Sequence, residues 1–156
     1  MKLIYLAELR SIEKSGKRLT DCIFKNWNYG PFSSEILSAI ENIGTDVKRE
    51  AMVAKEGRKG EFLIPIKEKT FVNLEKDEMT LLDEVLSTWK YESNENIISS
   101  SKKSPPFTWT SRGDTIPFEE YTEFIRNVNL AKHDRFRNNC IVLSSDEDID
   151  GYLSKL

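Results

Sequence analysis

The sequence is poor in cysteine, and its two cysteines form no recognisable motif. Cys22 and Cys140 lie far apart, without a Cys-x-x-Cys or a cysteine-histidine spacing. This pattern argues against a zinc site and indicates reduced thiols in a cytoplasmic protein, with a secreted disulfide as the alternative.

Long apolar runs are also absent. The longest run near the start, 3–7, is far shorter than the roughly 20 residues that span a bilayer. Its flanking charges and the lack of a small-residue cleavage site do not fit a signal peptide. We therefore expect a cytoplasmic protein without membrane contact.

Neither sign of charge dominates the chain. There are 23 Lys and Arg residues against 26 Asp and Glu residues, and the formal net charge is -3. Nothing global therefore suggests nucleic acid or a membrane as the partner. The chain has 156 residues, 38% of them hydrophobic, and a chain of this size buries roughly 70% of its unfolded surface. We expect one domain, or one domain with a tail.

Catalytic groups are scarce. His133 is the only histidine and lies in a basic, polar stretch, whereas a catalytic nucleophile needs an adjacent base. The sequence has no Gly-x-Ser-x-Gly, no phosphate-binding glycine loop and no His-Glu-x-x-His. We therefore expect no enzyme activity and no cofactor.

One acidic motif is similar to a calcium-binding loop. Asp146, Asp148, Asp150 and Gly151 have the spacing of the first half of an EF-hand loop. The bidentate glutamate at the end of such a loop is missing, so we expect no metal site. A final helix, capped by a serine before the motif, is the preferred interpretation.

The most specific local signal lies in the stretch 16–40. Its centre reads Trp27-Asn28-Tyr29-Gly30-Pro31-Phe32-Ser33. Gly30 can adopt positive φ, and a residue before proline is pushed away from the helical region. Ser33 is placed as a helix N-cap, with Glu35 near the positive end of the helix dipole. We predict an extended segment that turns sharply into a helix.

Two interpretations are open for the residues before this turn. Ile23, Trp27 and Tyr29 could share one face of an extended segment with Lys25, or Ile23 and Trp27 could pair on a short helix. Taken alone, Trp27 and Tyr29 are expected to fill a core. If they are only partly buried, they are good anchors for a partner protein.

The rest of the chain predicts a mostly helical fold. Apolar spacing predicts helices at 2–15, 33–42, about 75–91 and from Pro117 onward, a short helix capped by Ser93, a turn at 111–114 and an extended connection at Pro105 and Pro106. In the helix at 75–91, a core stripe is predicted from Leu81, Leu82, Val85, Leu86 and Trp89.

A β-hairpin is predicted between these helices. The apolar runs 51–54 and 62–66 flank the charged, glycine-containing loop 55–60. The first run could instead be a helix that starts at Thr45. The predicted class is α+β, mostly α, with a compact helical domain and a small β-hairpin.

The end of the chain differs in character. Lys132, Arg135 and Arg137 form a basic cluster, 140–143 is a candidate strand and 144–150 is acidic. We expect a domain at 1–128 and a C-terminal extension at 129–156.

Several segments together resemble a known family. They are Lys2-Leu3-Ile4-Tyr5-Leu6-Ala7, Gly16-Lys17-Arg18-Leu19-Thr20, Trp27-Asn28-Tyr29-Gly30-Pro31, the helix from Ile36 to Ile40, Leu82-Asp83-Glu84-Val85-Leu86, Trp109 after prolines, and Ile116 to Phe124 with Tyr121 at its centre. In order and spacing, the chain from about Leu3 to Ile125 resembles the Panacea domain family of SocA-like antitoxins and phage-associated GepA-type proteins. It departs from that family in having Ser101-Lys102-Lys103 where relatives tend to have a threonine and a histidine.

The resemblance implies a cytoplasmic antitoxin of a bacterial or phage toxin-antitoxin pair. Such a protein binds a cognate toxin, typically encoded by an adjacent gene, and catalyses no reaction. The candidate partner-binding residues are Trp27, Tyr29, Arg58, Lys59, Trp109 and Arg112. The family pairs one domain with many unrelated toxins, so the resemblance does not name this toxin.

A DNA-binding transcriptional regulator, including one that regulates its own operon, is the alternative. Basic residues in the hairpin, Arg58 and Lys59 among them, could follow a phosphate backbone. Glutamates interleave with these residues, and no helix with a basic exposed face stands out. A solvated loop is therefore the preferred interpretation of this basic stretch.

Overall fold

The computed structural model describes residues 1–42, 47–53, 59–66 and 73–138. Within these ranges the chain forms six helices and two antiparallel strands: α1 (Lys2–Ser15), α2 (Ser34–Glu41), β1 (Val47–Val53), β2 (Lys59–Pro65), α3 (Lys76–Trp89), α4 (Asn94–Lys103), α5 (Pro105–Thr108) and α6 (Phe118–Asn138). The predicted class is confirmed as α+β, mostly α, with a small hairpin. No helix in the described ranges is long and apolar enough to cross a membrane.

Helix α1 is the centre of the fold and contacts α3, α4 and α6. It spans the predicted residues. It ends at Gly16, which adopts φ 70° and whose N–H donates to the Ile12 carbonyl at 2.9 Å. One side of α1 faces an aromatic core in which the rings of Tyr5, Phe24 and Phe118 lie 5.5 to 5.8 Å apart. The buried members of this core are Tyr5, Leu9, Ile12, Phe24, Ile36, Phe107, Ile116, Phe118 and Tyr121.

A buried carboxylate fixes the segment that follows α1. Glu8 is fully buried and accepts hydrogen bonds from the Leu19 N–H at 2.9 Å, the Thr20 N–H at 3.0 Å and the Thr20 hydroxyl. The Arg18 guanidinium lies 3.7 Å from this carboxylate and 4.4 Å from the centre of the Phe118 ring. Because a buried charge is tolerated only when it is paired and hydrogen-bonded, Glu8 specifies the path of the chain after Gly16.

The predicted core stripe of α3 is only partly correct. Leu81 and Val85 are buried against Ala7 of α1, whereas Leu86 is 49% exposed. Leu86 instead borders an open groove between α1 and α3. A stripe at three- and four-residue spacing covers more of a helix surface than one neighbouring helix can bury.

The predicted extended connection at Pro105 and Pro106 is wrong. The two prolines begin the single-turn helix α5, and the preceding Ser104 supplies the extended residue. Proline is tolerated at the first helical positions, where no backbone donor is needed. Helix α5 buries Phe107 and ends next to Trp109, whose N–H donates to the Pro105 carbonyl at 3.0 Å.

The hairpin is longer than predicted, and its first strand is not a helix. β1 and β2 pair from Val47 opposite Pro65 to Val53 opposite Lys59. Most of the predicted loop 55–60 lies outside the described residues, as do Gly44, Cys140 and the acidic motif 146–151. Helix α6 runs without a break past residue 128, and the domain boundary there stays a prediction.

Candidate partner-binding site

The predicted extended segment is present and is hydrogen-bonded on both sides. Lys25 exchanges two backbone hydrogen bonds with Phe32, at 2.8 and 3.0 Å. On the other side, the Ile116 N–H donates to the Phe24 carbonyl at 2.8 Å. Backbone pairing on two sides makes this segment, which carries the aromatic residues of the motif, a rigid part of the fold.

The sharp turn into α2 is also confirmed. Gly30 adopts φ 89°, and its N–H donates to the Trp27 carbonyl at 2.9 Å. Ser33 is the N-cap, and its hydroxyl accepts from the Ile36 N–H at 3.4 Å. The Glu35 carboxylate, in the first turn of α2, accepts from the N–H of Ile23 at 2.6 Å.

The expectation that Trp27 and Tyr29 fill the core is wrong. Trp27 is 49% exposed and Tyr29 is 74% exposed, whereas Phe24 is fully buried. Side chains alternate along an extended segment, so Phe24 points inward, while Ile23, Lys25 and Trp27 line one groove of about 310 Å³. The predicted shared face is therefore confirmed for Ile23, Lys25 and Trp27, whereas Tyr29 lies in the turn and does not line this groove. The short helix is not formed.

Asn26 holds a second loop against this segment. Its side-chain amide donates to the carbonyl of Phe107 at 3.2 Å and of Thr110 at 2.6 Å. The backbone carbonyl of Asn26 accepts a hydrogen bond from the Gly113 N–H at 2.8 Å. The loop that carries Trp109 and Arg112 is thereby fixed beside the loop that carries Trp27 and Tyr29. We call these two loops, residues 25–30 and 109–114, the corner surface.

Trp109 is partly anchored in the fold. Its ring centre lies 6.1 Å from that of Tyr121 and 5.5 Å from that of Phe124, both edge to face. The Tyr121 hydroxyl donates to the Glu13 carboxylate at 2.9 Å, and burial together with this carboxylate raises the pKa of Tyr121. Trp109 remains 46% exposed, so a fixed aromatic ring is available to a partner.

Four of the six predicted site residues lie on the two loops that Asn26 joins. Trp27 and Tyr29 lie on one loop, and Trp109 and Arg112 lie on the other. Arg58 is outside the described residues, and Lys59 begins β2, where only its backbone is described. A role for the hairpin in partner binding stays a prediction.

Two other concave surfaces have no aromatic residue in their lining. The cleft between α1 and α6, of about 510 Å³, contains Glu13 and Lys14, but Glu13 is bonded to Tyr121 and Lys14 donates to Glu84 at 2.5 and 2.6 Å. The groove between α1 and α3, of about 290 Å³, is almost entirely apolar. The corner surface alone among these three combines exposed aromatic rings with a backbone fixed on both sides.

The described residues hold no group of three or more His, Cys, Asp and Glu side chains that could bind a metal ion. His133, the only histidine in the sequence, lies within α6, where only its backbone is described.

The family model for the antitoxin SocA-like, Panacea domain matches residues 1–110. The chain belongs to this antitoxin family. Membership indicates an antitoxin role, a non-enzymatic protein and a toxin as the kind of partner. No curated protein and no solved structure matches the chain significantly. The matched range of this SocA-like protein includes α1 to α5, the Glu8 carboxylate and Trp109, while α6 lies beyond it.

Proposed function

We propose that this protein neutralises a cognate toxin by direct complex formation through the corner surface. The observation that carries the proposal is the exposure of Trp27 and Tyr29 on a segment with backbone hydrogen bonds on both sides. Large aromatic side chains normally leave water when a chain folds. Exposed rings on a rigid backbone are therefore best explained by burial in a complex.

Rigidity at the corner surface favours affinity. A stable complex buries on the order of 1,600 Å², and Trp, Tyr and Arg side chains supply most of the binding energy in such interfaces. Ordering a loop on binding costs free energy. Because Asn26 already orders both loops in the free protein, that cost is reduced here. Trp27, Tyr29 and Trp109 act as anchors, and Arg112 lies at the rim.

The test is co-expression with the product of the adjacent gene. We expect the wild-type protein to relieve growth arrest and to purify in a complex with the toxin. Trp27→Ala removes an anchor, and we expect a loss of about 2 kcal/mol, or roughly 30-fold in Kd. Binding is measured by calorimetry, and the urea midpoint of each variant shows whether it is folded.

Tyr91→Ala is the matched control. Tyr91 is 89% exposed but lies at the end of α3, outside the corner surface, and we expect its truncation to leave Kd unchanged. Growth arrest that persists while the intact antitoxin is present would disprove neutralisation. Equal binding by wild type and Trp27→Ala would instead disprove the role of the corner surface.

The alternative, DNA binding by the hairpin, has less support. Lys48 on β1 lies 2.6 Å from the Glu50 carboxylate, so this lysine of the hairpin has an acidic neighbour that would oppose a phosphate contact. A regulator of this kind would shift a promoter fragment with a steep salt dependence, and neutralising Arg58 and Lys59 would abolish the shift. Such a result would favour the alternative over toxin binding.

A further inference from the structure

Two lysines flank Gly30 at the edge of the corner surface. A Cβ atom at Gly30 would lie 3.5 Å from Cε of Lys2 and 3.7 Å from Cγ of Lys102. The Lys102 ammonium donates to the Asn28 carbonyl at 3.4 Å, and burial lowers the pKa of Lys2. Neither lysine forms an ion pair with a carboxylate in the part of the chain that the structure describes.

Two further cations belong to the same surface. Lys25 lines the groove beside Trp27, and Arg112 lies on the loop that Asn26 holds. Both are exposed and, within the described ranges, have no ion-pair partner. Within the two loops Asp114 is the only carboxylate, and Glu35, which accepts the Ile23 N–H, lines the groove beside Lys25. Four cations thus stand against two carboxylates, in a chain whose net charge is -3.

This arrangement of charges indicates which kind of partner segment would fit the corner surface. An ammonium that has lost part of its water shell is stabilised by a carboxylate that replaces that water. Charge-assisted hydrogen bonds of this kind are roughly twice as strong as neutral ones. The exposed rings on the same two loops add an apolar contact. An acidic segment with an apolar side chain between its carboxylates would match both properties.

We propose that the corner surface binds an acidic segment of the toxin, with Lys2, Lys25, Lys102 and Arg112 facing its carboxylates. This inference rests on the proposed function, since it names the chemistry of the partner at the same site. A nucleic acid would also carry negative charge. Membership of an antitoxin family, whose partners are toxins, favours a protein segment.

The first experiment reverses charge on the antitoxin. We expect Lys25→Glu with Lys102→Glu to lower the association rate with the purified toxin at least tenfold at low salt, and to flatten its salt dependence, because opposite charges steer association. Lys76→Glu, at the exposed start of α3, is the control and leaves the rate unchanged. Lys25→Glu alone serves if the double variant unfolds at lower urea. An unchanged rate in the charge-reversed variants overturns the inference.

The second experiment does not need the toxin. A fluorescent 12-residue peptide of alternating Glu and Leu is compared with its Lys and Leu counterpart and with single-stranded RNA of 12 nucleotides. We expect the acidic peptide to bind at least tenfold more tightly than the basic one, and the double variant to lose this preference. Equal binding of both peptides, or tighter binding of the RNA than of the acidic peptide, overturns the inference.

The two proposals fail in different ways. In one outcome, Trp27→Ala abolishes neutralisation of the toxin and Lys25→Glu does not. This result supports the proposed function and excludes the acidic segment. In the other outcome, the protein binds the acidic peptide selectively but does not neutralise the toxin. This result supports the preference for acidic segments and excludes the toxin as the target.

Discussion

Gly30 is the position where one added methyl group tests the corner most directly. An alanine there would keep φ 89°, and the left-handed region costs a residue with Cβ about 1 to 2 kcal/mol. The new Cβ would also lie 3.3 Å from the Ser101 hydroxyl oxygen on α4, and relieving such a tight contact costs about 1 kcal/mol. We therefore expect Gly30→Ala to lower the free energy of unfolding by about 2 to 3 kcal/mol.

Gly113 provides a matched control. It has nearly the same backbone angle, φ 92°, but nothing lies within 4 Å of its Cβ position. Gly113→Ala should therefore carry only the conformational cost of about 1 to 2 kcal/mol. The effect of alanine on the unfolded chain differs between the two sites, because Gly30 precedes Pro31. The part of the excess cost at Gly30 that disappears in a Ser101→Ala background isolates the contact with Ser101.

The assay is urea unfolding followed by circular dichroism, with thermal unfolding as a check, since 1 kcal/mol shifts Tm by about 2 to 4 °C in a protein of this size. In a Ser101→Ala background the hydroxyl is gone, and Gly30→Ala should cost no more than Gly113→Ala. Equal losses for the two single variants in the wild-type background would refute the argument from packing. If the excess cost of Gly30→Ala over Gly113→Ala were the same in the Ser101→Ala background, that result would also refute the argument from packing.

Two further predictions concern charged groups on α1 and α3. Glu8→Gln keeps the shape of the fully buried side chain but removes the charge that the segment after α1 surrounds. We expect the free energy of unfolding, measured in urea, to fall by about 2 to 4 kcal/mol. A decrease below about 1 kcal/mol would contradict this role. The hydrogen bond from Lys14 lowers the pKa of Glu84 below its ordinary 4.5, so the pair stabilises the fold above that pH and loses its effect as the pH falls through the lowered value. The stability difference between wild type and Glu84→Gln should therefore be present at neutral pH, shrink in 1 M salt and vanish in acid, and a difference that persists in acid would exclude this ion pair as its source.

Local signals predicted the helices other than α5. The positive φ of Gly16 and the capping hydroxyls of Ser33 and Ser93 act within one helical turn of their own position. A sequence read in short windows contains all the information that such features need. For the same reason, the turns at Gly30 and at 111–114 were predictable, whereas the periodicity of 23–29 left both an extended segment and a short helix open.

Features that depend on distant contacts were not predictable. Phe24 and Trp27 are both large aromatic residues, and only the pairing of their segment with 113–116 decides which one faces inward. Asn26 and Glu8 look like ordinary surface polar residues in the sequence, yet each receives its partners from elsewhere in the fold. The only local hint was that Asn26 directly precedes the aromatic motif.

The amide of Asn26 also sets when, during synthesis, the corner surface proposed to bind the toxin can first assemble. Its two acceptors lie 81 and 84 residues further along the chain. At about 5 to 20 residues per second, the ribosome needs roughly 4 to 17 seconds to make that stretch. Until then the nascent chain carries Trp27 and Tyr29 without the loop beside them. A product that stops before Thr110 would contain most of the family domain and would still lack an assembled corner surface.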